Sequence, residues 1–154
     1  MKTGKIKTVE CNNRKRIIQL AYRSGIKVEI HYSQIGIHKK ISAIWVDKET
    51  RGMSVGMRFD DGKEEFMPYD QPLALVKDPE YQLQNQLERL IAHIKDALKK
   101  KKVSKRYLAE QLKTSDNQIQ RLLNPKILNK NLEQLYKVAA LLGLDLEWNI
   151  NSAA

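Results

Sequence analysis

Residues 103–143, VSKRYLAEQLKTSDNQIQRLLNPKILNKNLEQLYKVAALLG, decide the fold, because they read as three short helices separated by two tight breaks. Ser104 can accept a backbone N–H and so start a helix over Lys105–Leu112, in which Tyr107, Leu108 and Leu112 recur at helical spacing and Ala109 admits a close neighbour. Lys113-Thr114-Ser115 interrupts the pattern. Ser115 then offers a second cap, and Ile119, Leu122 and Leu123 mark the buried side of a helix that ends near Asn124-Pro125. Two short helices with a three-residue turn between them predict a helix-turn-helix.

In that geometry the second helix enters the major groove and its N-terminal outward residues meet base edges. Those residues are Asp116, Asn117, Gln118, Gln120 and Arg121. Gln and Asn can bond adenine through two contacts and Arg can do the same for guanine, so this face is equipped to read sequence. For Asp116, capping of the helix N-terminus is favoured over accepting from a cytosine amino group. Residues 99–137 hold eleven Lys or Arg against Glu110, Asp116 and Glu133, a balance of +8 that suits phosphate. Lys105, Lys126 and Lys130, with the hydroxyls of Ser104, Thr114 and Ser115, are the candidate phosphate contacts. Lys99 to Lys102 are also explained without a ligand, because lysine at a helix C-terminus complements the helix dipole.

The run Leu108-Ala109, Leu112, Gln118-Ile119-Gln120-Arg121-Leu122-Leu123-Asn124-Pro125, Leu132-Glu133-Gln134-Leu135, Ala139-Ala140-Leu141-Leu142-Gly143 and Leu146-Glu147 resembles the C-terminal DNA-binding domain of HicB-type antitoxins, within the phage-repressor-like helix-turn-helix class. The resemblance covers Val103 to Ile150 and implies operator binding by a homodimer, with a cognate toxin as a possible further partner. The N-terminal region does not share the HicB pattern. Lys113 departs from the wider class, which often has Gly in the turn; a left-handed backbone there would be mildly strained.

Outward from this unit, Asp78 as N-cap with Pro79 at the first helical position starts a helix of about 20 residues whose stripe is Leu83, Leu87, Leu90, Ile91, Ile94 and Leu98. The domain boundary is therefore placed at Lys77-Asp78, giving domains 1–77 and 78–154. Asp145 to Ile150 alternates like a strand, and Leu144, Leu146 and Trp148 are the candidate dimer contact.

For the first domain the expectation is a small antiparallel sheet curled into a half-open barrel, which makes the chain α+β. Residues 13–23 read as a short amphipathic helix on Ile17, Ile18 and Ala21. Ile26 to Tyr32 alternates as a strand. A second extended run passes through Ile41, Ala43 and Trp45, a third through Met53, Val55, Met57 and Phe59, and Asp61-Gly62 turns back into Lys63 to Met67. Leu73 to Val76 reads as a further short strand.

At 154 residues and 42% hydrophobic content the chain holds one ordinary domain or two small ones, and its net charge of +10 calls for an acidic partner. The polar start and the lack of any apolar run near 18 residues point to a cytoplasmic protein without a membrane partner. Cys11 is the sole cysteine, so no intrachain disulfide forms. His31, His38 and His93 are scattered, no paired-ligand spacing or phosphate-cradling glycine loop occurs, and Asp60-Asp61 reads as a turn. No enzyme, metal or cofactor is expected. The leading function is a sequence-specific DNA-binding regulator on an inverted-repeat operator; the alternative is an adaptor whose β domain binds protein or RNA.

Overall fold

A computed structural model describes residues 4–152. The chain divides into two compact units between Gln82 and Leu83, a division that falls inside a helix and a few residues past Lys77-Asp78. The class is α+β, with two three-stranded antiparallel sheets followed by helices.

The first unit holds β1 (Ile6–Asn12), β2 (Ile17–Tyr22) and β3 (Lys27–His31) in one sheet, and β4 (Ile41–Val46), β5 (Ser54–Phe59) and β6 (Glu64–Pro68) in the other. Residues 13–23 are thus a hairpin turn and a strand, not a helix. Ile17, Ile18, Leu20 and Ala21 fit either period. The β-branched pair and the alternation of buried Ile18, Leu20 and Tyr22 with exposed Gln19 match a pleat, and Asn12 accepts from the Lys15 N–H at 3.0 Å to tighten the turn. The strand β1 carried little apolar signal: of its seven residues only Ile6 is buried. Leu73 to Val76 is likewise not a strand; it is the end and C-cap of α1 (Asp70–Leu75), which has Pro72 in the first turn where a missing N–H costs no helical bond.

The two sheets are copies of one meander. In the first, Ile6 opposes Tyr22, the register slips by one residue, and the pairs Thr8–Ala21, Val9–Leu20, Glu10–Gln19 and Cys11–Ile18 follow. In the second, Ile41 opposes Phe59, the register slips at the same place, and Ala43–Arg58, Ile44–Met57, Trp45–Gly56 and Val46–Val55 follow. The third strands repeat the correspondence, Ile18–Ile30 matching Val55–Met67. Each meander ends in a helical turn, Tyr32–Ile35 and α1. The contact between the copies is reciprocal: the Ile6 N–H donates to the Gly52 carbonyl in the second hairpin loop (2.8 Å), and the Ile41 N–H donates to Asn13 Oδ1 in the first (2.9 Å). Ile18, Leu20 and Ile30 from one copy share a core with Val55, Met57 and Met67 from the other. The sheet expected as one half-open barrel is therefore two meanders closed on each other.

The helix α2 (Pro79–Lys100), within which the division falls, starts where expected, with the Tyr81 N–H donating to Asp78 Oδ2 at 2.9 Å. Its Ile94, Ala97 and Leu98 join Leu108 and Ala109 of α3 (Lys105–Gln111), Ile119 and Leu122 of α4 (Asp116–Leu122) and Leu135 and Val138 of α5 (Leu132–Leu141) in one core. Tyr107, which recurs at helical spacing with Leu108 and Leu112, is nonetheless 44% exposed. The turn after α3 is left-handed at Lys113 (φ 51°), and the Thr114 N–H closes on the Ala109 carbonyl at 2.9 Å, so this lysine takes the conformation that glycine suits best. No strand forms after α5: residues 144–152 carry no regular structure. Leu144 packs on the core, Trp148 is 65% exposed, and its indole N–H donates to the Tyr136 hydroxyl. With no partner strand to complete a ladder, the alternation of Leu144 and Leu146 describes an extended tail.

Two substitutions test this account. Asn13→Ala removes the acceptor for Ile41 N–H and Tyr32 O–H and the donor to Ile41 C=O; urea unfolding is expected to show a loss of about 2–4 kcal/mol, and a loss below about 0.5 would mean the loop contact is dispensable. Lys113→Gly relieves the left-handed strain, so it is expected to stabilise the chain by roughly 0.5–1 kcal/mol in the same measurement; destabilisation would show a different turn in solution.

Candidate nucleic-acid interface

The helix α4 is only seven residues long, so its placement depends on what holds its ends. Ser115 caps it, accepting from the Gln118 N–H at 3.2 Å. Asp116 is consequently not the cap. It occupies the first helical position, where its carboxylate faces the positive end of the helix dipole. The cap uses a lone pair of Ser115 Oγ and leaves its O–H free to donate outward; Ser104, which accepts from the Tyr107 N–H at 3.0 Å to cap α3, is in the same state. Thr114 is half-buried in the turn between them.

Burial of Ile119 and Leu122 turns the opposite side of α4 to solvent, and Asp116, Asn117, Gln118, Gln120 and Arg121 are all exposed. The structure brings these five onto one short helix. Gln118 and Arg121 also line a polar hollow with Asn129, Lys130, Asn131 and Gln134, between α4 and the start of α5. Asn131 caps α5 there, accepting from the Gln134 N–H at 3.1 Å.

The acids around this face are mostly neutralised. Glu110 meets Arg106 at 3.5 Å and Glu133 meets Lys137 at 2.7 Å, a contact that holds the Glu133 carboxyl below the ordinary range. Lys105, Lys126 and Arg121 are exposed and form no ion pair among the described residues. Unpaired cations beside the Asn117, Gln118 and Gln120 amides make a surface that suits a polyanion with readable edges.

Lys130 has a different position from the one its spacing suggested. Its ammonium donates to the Arg121 and Asn124 carbonyls, both at 2.6 Å, and so closes the C-terminal end of α4. Partial burial, with the Arg121 and Lys95 charges, pushes its pKa below the ordinary lysine value. Lys101 does the same for α5, donating to the Leu142 carbonyl. Neither clasp was readable in the sequence, because Lys101 and Leu142 are 41 residues apart and nothing local marks a lysine that folds back.

Leu144, Leu146 and Trp148 are not aligned on a strand. Leu144 and Leu146 are half-buried, and Trp148 lies by Tyr136 on α5, which also exposes Leu132 and Leu141. Among the described residues no three His, Cys, Asp or Glu side chains converge as metal ligands, and no helix is long and apolar enough to cross a membrane.

Residues 94–149, from the last turns of α2 to the tail after α5, match the helix-turn-helix family model. Neither the curated proteins nor the solved structures contain a match to the chain. The match supports the phage-repressor-like helix-turn-helix class for residues 94–149, and with it a DNA-binding transcription regulator.

Proposed function

We propose that the chain is a sequence-specific transcriptional repressor that reads double-stranded DNA with α4. The observation that carries this reading is the outward face of α4, where Gln118, Gln120 and Arg121 stand exposed between unpaired lysines on a helix fixed at both ends. Arg121 and Gln118 read base edges, Asn117 and Gln120 support them, and Asp116 orients the helix start. Lys105, Lys126 and the hydroxyls of Ser104, Thr114 and Ser115 hold phosphates. Lys130 holds the helix, with a phosphate contact as its secondary role.

The repressor works as a homodimer on inverted half-sites one helical turn apart, because one such helix covers too few base pairs to discriminate in a genome. The exposed apolar residues of α5 with Trp148, extended by Leu146, support a dimer seam on this side of the domain. An autoregulating antitoxin is the finer form of the proposal, supported by the Arg121-Leu122-Leu123-Asn124-Pro125 run; co-purification of a small toxin from cells expressing the neighbouring reading frame tests it, and its absence leaves the repressor without that role.

Base reading and positioning separate in binding assays on a selected operator and on random DNA. Arg121→Ala and Gln118→Ala are each expected to cost about 1–3 kcal/mol on the operator and much less on random DNA; equal losses on both would remove these residues from base recognition. Lys105→Ala and Lys126→Ala are expected to weaken both alike and to reduce the salt slope by about one, and an unchanged slope would deny the phosphate contact.

The dimer is tested by truncation after Asp145, which keeps the Leu144 N–H bond to Ala139 that finishes α5. Light scattering is expected to show a monomer with most operator affinity lost. A dimer of undiminished affinity would move the seam to α2 or the first unit.

A further inference from the structure

We infer that the outer face of the β4-β5-β6 sheet is a docking surface for a cationic peptide segment of a partner protein. Across this face run Trp45, Gly56 and Phe66, in register on three neighbouring strands. Phe66 is 57% exposed and stands edge-on to the indole, with ring centroids 6.2 Å apart at 87°. Gly56 is the residue that lets the indole lie down: a Cβ there would come within 2.2 Å of the Trp45 ring. The Arg58 guanidinium lies over the same indole at 5.8 Å and donates twice to Glu64 Oε1, at 2.9 and 2.6 Å.

The duplicated meander supplies a control within the molecule. In the first sheet the three equivalent positions, at the same register on the same backbone, hold Glu10, Gln19 and Glu29. Gln19 and Glu29 bond each other at 3.0 Å in open solvent. The meander therefore folds with a wholly polar outer row, and the aromatic row of the second copy is not a requirement of the fold. An exposed phenylalanine beside a tryptophan cleared by a glycine, where the sister copy is polar, has the composition of a contact surface.

The charge around the row selects the partner. Residues 47–70 carry a balance of −3 in a chain of +10. Glu64 stands two residues before Phe66 on the edge strand and so on the same face, and both Arg58 bonds fall on one of its oxygens, so the other oxygen is open to a second cation. A Lys or Arg side chain laid over the Phe66 ring, with its charge at Glu64, satisfies the aromatic quadrupole and the carboxylate together. A nucleic-acid strand would bring phosphates to the same carboxylate and be repelled. The inference does not rest on the DNA-binding reading, since it concerns the other unit.

The probe is octalysine, added to the nitrogen-15-labelled full chain, with octaglutamate and an eight-nucleotide oligouridine beside it; Trp45→Phe assigns the indole signal. Octalysine is expected to shift the Trp45 indole N–H and the Gly56 and Phe66 amides, and the other two probes to leave them in place. Phe66→Glu puts the first copy's residue at this position and separates the mechanisms. If the ring matters, octalysine affinity falls at least fivefold despite the added negative charge, and Phe66→Ala, which adds no charge, falls as well. Tighter or equal binding by Phe66→Glu would mean simple electrostatics and overturn the inference. So would an unmoved Trp45 signal with octalysine, or a shift with oligouridine.

Discussion

Helices of seven residues are below the length at which an isolated helix persists in water, about 12–15 residues, and the DNA-binding unit is built from two of them and a third of ten. Their existence depends on closing the ends and sharing one core. Each of the three has its N-terminus capped by a short polar side chain, Ser104, Ser115 and Asn131. Each contributes fully buried residues to a common centre, among them Leu108, Ile119 and Leu135. At the C-termini, where side-chain acceptors are useless because carbonyls need donors, Lys130 closes α4 and Lys101 closes α5. Because the recognition face has no core of its own, its geometry is only as rigid as these closures. Arg121 is held both as a residue of α4 and through its own carbonyl, so the helix end and the backbone that carries this exposed side chain are fixed by the same contact.

The first unit meets a related constraint in another way. A three-stranded meander has one apolar face and cannot bury it alone. Duplication answers this, since a second copy presents an equivalent face, and the Ile6 and Ile41 contacts to the opposite hairpin loops set the two in reciprocal register. The arrangement leaves two outer faces that folding does not constrain. Their divergence, polar on one copy and aromatic on the other, is therefore not dictated by the packing of the two sheets on each other.

How much of this was legible depends on where the information is stored. Local rules found the caps of Ser104 and Ser115, the Asp78-Pro79 start of α2 and the Asp61-Gly62 hairpin, because each is fixed by a few adjacent residues. The period of Val55, Met57 and Phe59 was readable for the same reason. Residues 13–23 were misread because Ile17, Ile18, Leu20 and Ala21 satisfy both helical and strand spacing over so short a window. β1 was missed since its neighbours, not its own side chains, make it a strand. The duplication escaped because its copies share only a framework, Tyr22 and Gly25 matching Phe59 and Gly62, while the rows that differ are the exposed ones. Asp145 to Ile150 failed as a strand for the opposite reason: its alternation is real, but a ladder needs a partner that the fold does not bring. At the candidate site the outward face of α4 was fully legible from Ile119 and Leu122, whereas the lysine clasps were not, being long-range or folded back.

The distribution of the basic residues separates structural charge from charge that awaits a ligand. Lys99 and Lys100 lie in the last turn of α2, and Lys77, Lys102 and Lys113 follow helix ends in left-handed conformation. All five sit where the dipole is negative, so local electrostatics favours them by roughly 0.3–1 kcal/mol each at low salt, against the cost of the strained backbone at the last three. Their presence says little about DNA. Lys105 is the reverse case. It opens α3 beside the positive end of the dipole, with no acidic residue in that turn, and Arg106 follows it with only the exposed Glu110, at 3.5 Å, as a counter-ion. A helix start normally favours Asp or Glu by the same 0.3–1 kcal/mol, so a cation there is placed against local stability. On the proposed DNA reading a phosphate at the same spot reverses the sign, since it meets the lysine ammonium and the free Ser104 O–H together. Of these basic residues at helix ends, those at the start of α3 are the ones that the fold by itself does not explain.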